Sequence, residues 1–159
     1  MAGSHLPPLF SERVNVVIFY DFEVFKEDWL AVFIDVTKKK EYVIINNPDE
    51  LKALYEANSK DIWVGYNNRH YDQYIFKGIL LGMNPKRIND WIIVEKKEGW
   101  QFSSAFNKVP MINYDVMPNP PVGLKTLEGF LGSNIKETDV DFRINRKLTK
   151  QEIEMTVFY

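Results

Sequence analysis

Cysteine is absent from the 159-residue sequence, and histidine occurs only twice. The absence of cysteine excludes a disulfide framework, a thiolate zinc site and a cysteine nucleophile. The scarcity of histidine makes a histidine-rich metal site unexpected as well. A metal site in this chain should therefore consist of carboxylates, the ligands that hard cations such as Mg²⁺ prefer.

An excess of charge of one sign is also missing. The 20 Lys and Arg residues nearly balance the 22 Asp and Glu residues, and the net charge is -2. Binding to a polyanion would need a local basic patch or a bound metal ion. No apolar run approaches the roughly 18 residues of a membrane helix, and no signal peptide opens the chain. We therefore expect no membrane partner and a cytoplasmic protein.

The remaining composition is that of a folded globular protein. Hydrophobic residues make up 45% and charged residues 26% of the chain, values that argue against disorder and against a fibre. Residues 1–8 resemble a tag or flexible lead. The length then predicts a single domain over residues 9–159.

Hydrophobic patterning predicts an α/β fold with a mixed sheet flanked by helices. The segment 14–45 predicts a three-strand antiparallel meander, and further strands are predicted near 62–66 and 111–116. Helices are predicted after the capping residue Asn47, over 71–83, over 123–131 and after the capping residue Thr149. The segment 92–102 predicts a β-hairpin. The last helix is still running at Tyr159, which predicts a chain that continues beyond this residue.

Asp21 and Glu23 terminate the most hydrophobic strand predicted in the sequence. On a strand they share one face, with Cα atoms roughly 6.5–7 Å apart. Two such carboxylates could share a cation, which would offset the cost of burying their charge. The alternative is a pair of solvated turn residues, which is the better interpretation of an isolated D-x-E.

Asp72 strengthens the case for a site because on a helix it lies on the apolar stripe of Phe76, Ile79 and Met83. Its alternative explanation is an acidic residue favoured at a helix start. Asn68 has a similar alternative as a turn or capping residue. Tyr71 and Tyr159 carry little weight alone among eight tyrosines.

Residues 20–23, 66–72 and 158–159 together resemble, in order, the three motifs of 3′–5′ exonuclease domains. The similar proteins are the proofreading domains of phage-type family B DNA polymerases, in the DnaQ-like, ribonuclease H-like superfamily. Asp21 and Glu23 match the D-x-E motif, and Asn68, Tyr71 and Asp72 match N-x-x-[FY]-D. Of the third motif, Y-x-x-x-D, only the tyrosine is present, as Tyr159. The resemblance runs from about Val14 to Tyr159.

The resemblance implies a ribonuclease H-like mixed sheet and two divalent cations, Mg²⁺ or Mn²⁺. Asp21, Glu23 and Asp72 would bind the metal together with an aspartate four residues beyond Tyr159, and Tyr159 would orient the attacking water. Asn68, Tyr71 and Phe142 would bind the single-stranded 3′ end of DNA. The resemblance also implies a polymerase domain in the full-length chain and a bacterial host cell.

Other functions stay open. Another ribonuclease H-like nuclease, such as an RNase or a structure-selective endonuclease, would use similar residues. A non-catalytic nucleic-acid-binding module of the same fold would explain the missing fourth carboxylate. With that ligand absent, residues 1–159 are expected to cleave DNA weakly or not at all, unless Asp115 or Asp141 supplies it.

Overall fold

The computed structural model describes residues 15–118 and 140–157. Its centre is a five-stranded mixed sheet with strand order β3-β2-β1-β4-β5. The strands are β1 (Val17–Val24), β2 (Trp29–Asp35), β3 (Lys40–Ile45), β4 (Ile62–Gly65) and β5 (Ile112–Asp115). The first three pair antiparallel, which confirms the predicted meander. β4 runs parallel to β1, and β5 runs parallel to β4.

Helices flank this sheet, as predicted. They are α1 (Pro48–Ala57), α2 (Asp72–Leu80), α3 (Pro85–Asn89) and α4 (Lys150–Val157). Asn47 caps α1 by accepting a hydrogen bond from the Glu50 amide at 3.1 Å. At α4 the Glu152 amide donates to the Thr149 hydroxyl, and the Thr149 amide donates back to the Glu152 carboxylate. These hydrogen bonds confirm the two predicted helix starts.

The predicted β-hairpin over 92–102 is wrong. The structure has a π-helical turn over Asp90–Val94 and 3₁₀ turns over Gly99–Gln101 and Ser104–Lys108. The rings of Trp91 and Phe106 each pack against Phe102, and Phe106 also packs against Tyr74 of α2. This aromatic packing holds the segment against the helices, and it overrides the strand propensity of the Ile and Val residues.

The core that positions the site is a set of aromatic rings between the sheet and α2. Phe76 of α2 meets Tyr20 and Phe22 of β1 and Trp63 of β4 edge to face, with ring centroids 5.1–5.7 Å apart. All four rings are buried, so the start of α2 has a fixed position relative to β1. Among the described residues, no helix is long and apolar enough to cross a membrane. The predicted domain start at Leu9, the helix over 123–131 and Tyr159 lie outside the described residues.

Candidate active site

Asp21 and Glu23 lie in the second half of β1, which ends one residue later at Val24. Their neighbours Tyr20, Phe22 and Val24 are buried, whereas Asp21 is exposed and Glu23 is partly buried. This alternation places the two carboxylates on the sheet face opposite the aromatic core. The predicted common face is therefore consistent with the structure.

Asp72 reaches β1 at the point where the strand loses its parallel neighbour. The pairing of β1 with β4 ends at Phe19 and Val64. Beyond it, the Phe22 amide donates a hydrogen bond to Oδ1 of Asp72 at 3.0 Å. The Asp72 carboxylate thus satisfies a strand amide that would otherwise lack a partner on that side. Asp72 is 5% exposed and begins α2, where Phe76 and Ile79 are also buried, which confirms that part of the predicted apolar stripe. Met83 lies beyond the end of α2 at Leu80.

The three carboxylates interact through their charges. Burial and then the Asp21 charge raise the pKa of Glu23 from 4.5 to about 8. Burial, and next the charge of Asp21, raise the pKa of Asp72 well above its usual range. Burial raises the pKa of Asp21 from 3.8 to about 6, while the Phe22 amide lowers it. Asp21 is itself exposed, so solvent weakens the effect there. A bound cation would relieve this accumulation of negative charge.

These residues fit a divalent metal in chemistry but not in spacing. Carboxylate oxygens are the hard donors that Mg²⁺ and Mn²⁺ prefer. However, the described residues contain no group of three or more His, Cys, Asp or Glu side chains placed to hold a metal ion. A shared cation would therefore require the side chains of Asp21, Glu23 and Asp72 to move towards one another.

Asn68 occupies a different position from the one predicted for a DNA-binding residue. Its side chain is 0% exposed. Its amide donates to Oδ1 of Asn113 at 2.9 Å and to the Tyr114 carbonyl at 3.1 Å. Both partners belong to β5, so Asn68 joins the loop after β4 to the neighbouring strand. Direct contact with DNA does not agree with this placement, because the polar atoms of the side chain face protein.

Tyr71 lies beside the carboxylates, immediately before Asp72. Burial raises the pKa of its hydroxyl, and the charges of Asp72, Glu23 and Asp21 add to the effect in that order. The hydroxyl donates to Oδ1 of Asn89 at 2.6 Å. Tyr71 as a residue is only partly buried.

Phe142 lies near the end of β1, in the segment before α4. Its ring stacks on Phe25 with centroids 5.0 Å apart and an interplanar angle of 10°. Phe25 is 1% exposed, whereas Phe142 is 45% exposed. Phe142 therefore presents an aromatic face to solvent that a base could stack on.

Sequence reasoning missed the role of Asp115. Its carboxylate accepts hydrogen bonds from the amides of Asn67, Arg69 and Met117 at 2.8–3.0 Å. These bonds fix the loop that leads to Asp72, and Asn67 has a positive φ of 57° in that loop. Only its place before Pro118 hinted at a turn. Asp141, the other suggested fourth ligand, is exposed and bonds to Arg143.

No protein-family model, curated protein or solved structure matches the chain.

Proposed function

We propose that the chain is a metal-dependent 3′–5′ exonuclease domain of a phage-type DNA polymerase, with a ribonuclease H-like fold. The observation that supports it best is the Phe22–Asp72 hydrogen bond, which brings the second motif against the strand that carries Asp21 and Glu23. The strand order β3-β2-β1-β4-β5 supports the fold, since a three-strand antiparallel meander continues into two parallel strands.

In this proposal Asp21, Glu23 and Asp72 would hold divalent cations, with a fourth carboxylate that the resemblance implies. Such ions would supply activation of a water and stabilisation of negative charge on the phosphate. Tyr71 and Phe142 orient the frayed 3′ end by stacking and packing. Asn68 acts indirectly, because it fixes the loop that precedes Asp72. From the same resemblance we also propose that the protein is associated with a polymerase domain and that it acts in the cytoplasm of a bacterial host.

A nucleic-acid-binding module without catalysis is the second candidate. The observation in its favour is that the described residues hold no ready group of metal ligands. Such a module would bind single-stranded DNA without requiring Mg²⁺ or Mn²⁺.

The test is a cleavage panel with the full-length protein. Single-stranded DNA, RNA and a DNA–RNA hybrid, each labelled at the 5′ end, are incubated with Mn²⁺ or Mg²⁺. We expect stepwise shortening of DNA from its 3′ end, blocked by a 3′ phosphorothioate linkage. Preference for RNA would favour another ribonuclease H-like nuclease, and binding of DNA without cleavage would favour the binding module.

A further inference from the structure

Asp28 is a buried carboxylate in the turn between β1 and β2, and nothing in its local sequence accounts for it. It is 6% exposed. Its backbone carbonyl accepts a hydrogen bond from the Phe25 amide at 2.8 Å, which closes the turn. Its two carboxylate oxygens are used separately, and both bonds reach beyond the turn.

One oxygen ties the turn to the last part of the chain. The Leu148 amide donates to Oδ2 of Asp28 at 2.7 Å across 120 residues of sequence. The other oxygen, Oδ1, accepts from the side-chain amide of Asn46 at 2.6 Å. Asn46 in turn accepts from the Trp29 amide at 2.8 Å. Because the acceptor is a carboxylate, both bonds to it are charge-assisted.

The contact through Leu148 sets the position of a whole segment. Leu148 directly precedes Thr149, the capping residue of α4. Leu148 and Val140 pack with Phe25 and Leu30 in a second small core, and residues of α4 pack against it. The Leu148–Asp28 hydrogen bond is therefore a buried polar contact between the segment 140–157 and the β1–β2 turn, next to an apolar contact area.

We propose that Asp28 is a positioning residue for the nuclease site. Through Leu148 it holds α4 and the loop bearing Phe142 against the turn that follows Asp21 and Glu23 in β1. This inference rests on the proposed function for its effect on catalysis, whereas the docking of residues 140–157 is measurable without it.

A swap of two side chains isolates the hydrogen bonds from the charge. In Asp28→Asn, one side-chain oxygen is replaced by an NH₂ group. If the remaining oxygen still accepts from the Leu148 amide, the new NH₂ group of residue 28 faces the NH₂ group of Asn46. Two donors then oppose each other and a buried bond is lost. The double variant Asp28→Asn with Asn46→Asp restores the pattern, because residue 28 donates to residue 46 and still accepts from Leu148. Asn46 has a positive φ of 50°, a conformation that aspartate also tolerates.

Asp35→Asn is the matched control. Asp35 is a buried aspartate of the same hairpin, 2% exposed, at the opposite end of β2. Its carboxylate accepts from the Lys38 amide at 2.9 Å.

The experiment combines amide hydrogen exchange with exonuclease kinetics on the full-length protein. We expect Asp28→Asn to speed exchange at Leu148 and in α4 by about 10-fold, the effect of one lost buried hydrogen bond, and to lower kcat on single-stranded DNA. The double variant should restore both quantities, and Asp35→Asn should leave both near wild type.

Unchanged exchange at residues 148–157 in Asp28→Asn, or a double variant that restores neither quantity, would show that the Asp28–Leu148 hydrogen bond does not hold this segment in place. Faster exchange with unchanged kcat and KM would overturn the positioning role alone. A wild-type protein without nuclease activity would overturn the proposed function and the effect of Asp28 on catalysis. The exchange data would still decide whether Asp28 holds residues 140–157 in place.

Discussion

The negative charge of the Glu23 carboxylate destabilises the folded protein at high pH. Burial and the neighbouring Asp21 charge raise its pKa from 4.5 to about 8. The folded protein therefore binds a proton at Glu23 between these pH values, where the unfolded chain does not. The folded state consequently loses stability as pH rises through this window, and the loss is complete above about pH 8.

Glu23→Gln removes this penalty. Without divalent metal, we expect the variant to be more stable than wild type by about 1–3 kcal/mol at pH 9, a value discounted for partial solvent access, and similar to wild type at pH 4.5. Urea unfolding in EDTA at the two pH values measures the difference. Glu27→Gln, at an exposed glutamate, serves as the control. If the free energy of unfolding at pH 9 rises no more in Glu23→Gln than in the control, the Glu23 charge does not destabilise the fold.

With a bound cation, the negative charges that destabilise the folded state should instead stabilise it. In the proposed function Mn²⁺ would bind the folded state and neutralise the clustered carboxylates, so we expect Mn²⁺ to raise the Tm of the wild-type protein. Asp21→Asn and Asp72→Asn should each lose most of that rise. Differential scanning fluorimetry with and without Mn²⁺ provides the readout, and Asp35→Asn, which alters a buried aspartate at the far end of β2, provides the control. An equal rise in all four proteins would locate the metal elsewhere.

At the scale of elements, the loop between β4 and α2 determines where Asp72 stands. The Asn68 side chain holds the loop to Asn113 of β5, and the Asp115 carboxylate at the end of the same strand accepts a hydrogen bond from the loop. Gly65 leaves room for this arrangement, since a Cβ there would lie 2.7 Å from Nδ2 of Asn68. Asn68 is fully buried, so it has little space to retreat.

Asn68→Ala therefore distinguishes positioning from substrate contact. We expect a loss of about 1–3 kcal/mol in the free energy of unfolding, because polar groups of β5 lose their partners, and a lower kcat in the nuclease assay. Chemical denaturation and steady-state kinetics check the two effects, with the exposed Asn107→Ala as control. A raised KM with unchanged stability would instead indicate a direct contact with DNA.

The elements that sequence predicted well are those fixed by neighbours in the chain. The caps at Asn47 and Thr149 depend on residues three positions away. The segment 92–102 failed because its conformation depends on rings from α2 and from later turns. The roles of Asp28 and Asp115 were equally inaccessible, since their bonds span 120 and 46–48 residues. Asp21, Glu23 and Asp72 were predicted as a site because two short motifs carry them, whereas the spacing of their side chains depends on contacts between distant elements.

At the scale of the whole molecule, residues 15–118 build the sheet and the acidic site, and residues 140–157 return to the end of β1. The resemblance to exonuclease domains implies a fourth carboxylate four residues beyond Tyr159. We therefore expect a protein that includes this carboxylate to cleave single-stranded DNA at least about 10²-fold faster than residues 1–159, because it has a further metal ligand. Equal rates would indicate that the fourth ligand lies within these residues, or that the exonuclease assignment is wrong.

The most direct test of the acidic site is the rate at which the full-length protein removes 3′ nucleotides in Mn²⁺, measured for wild type, Asp72→Asn and the Asp35→Asn control. Asp72→Asn can keep an oxygen facing the Phe22 amide, so the fold should persist while the negative charge is lost. We predict stepwise 3′ shortening by wild type and control, and a fall of at least about 10²–10³-fold in Asp72→Asn. Undiminished cleavage by Asp72→Asn would contradict the assignment of Asp21, Glu23 and Asp72 as the catalytic carboxylates.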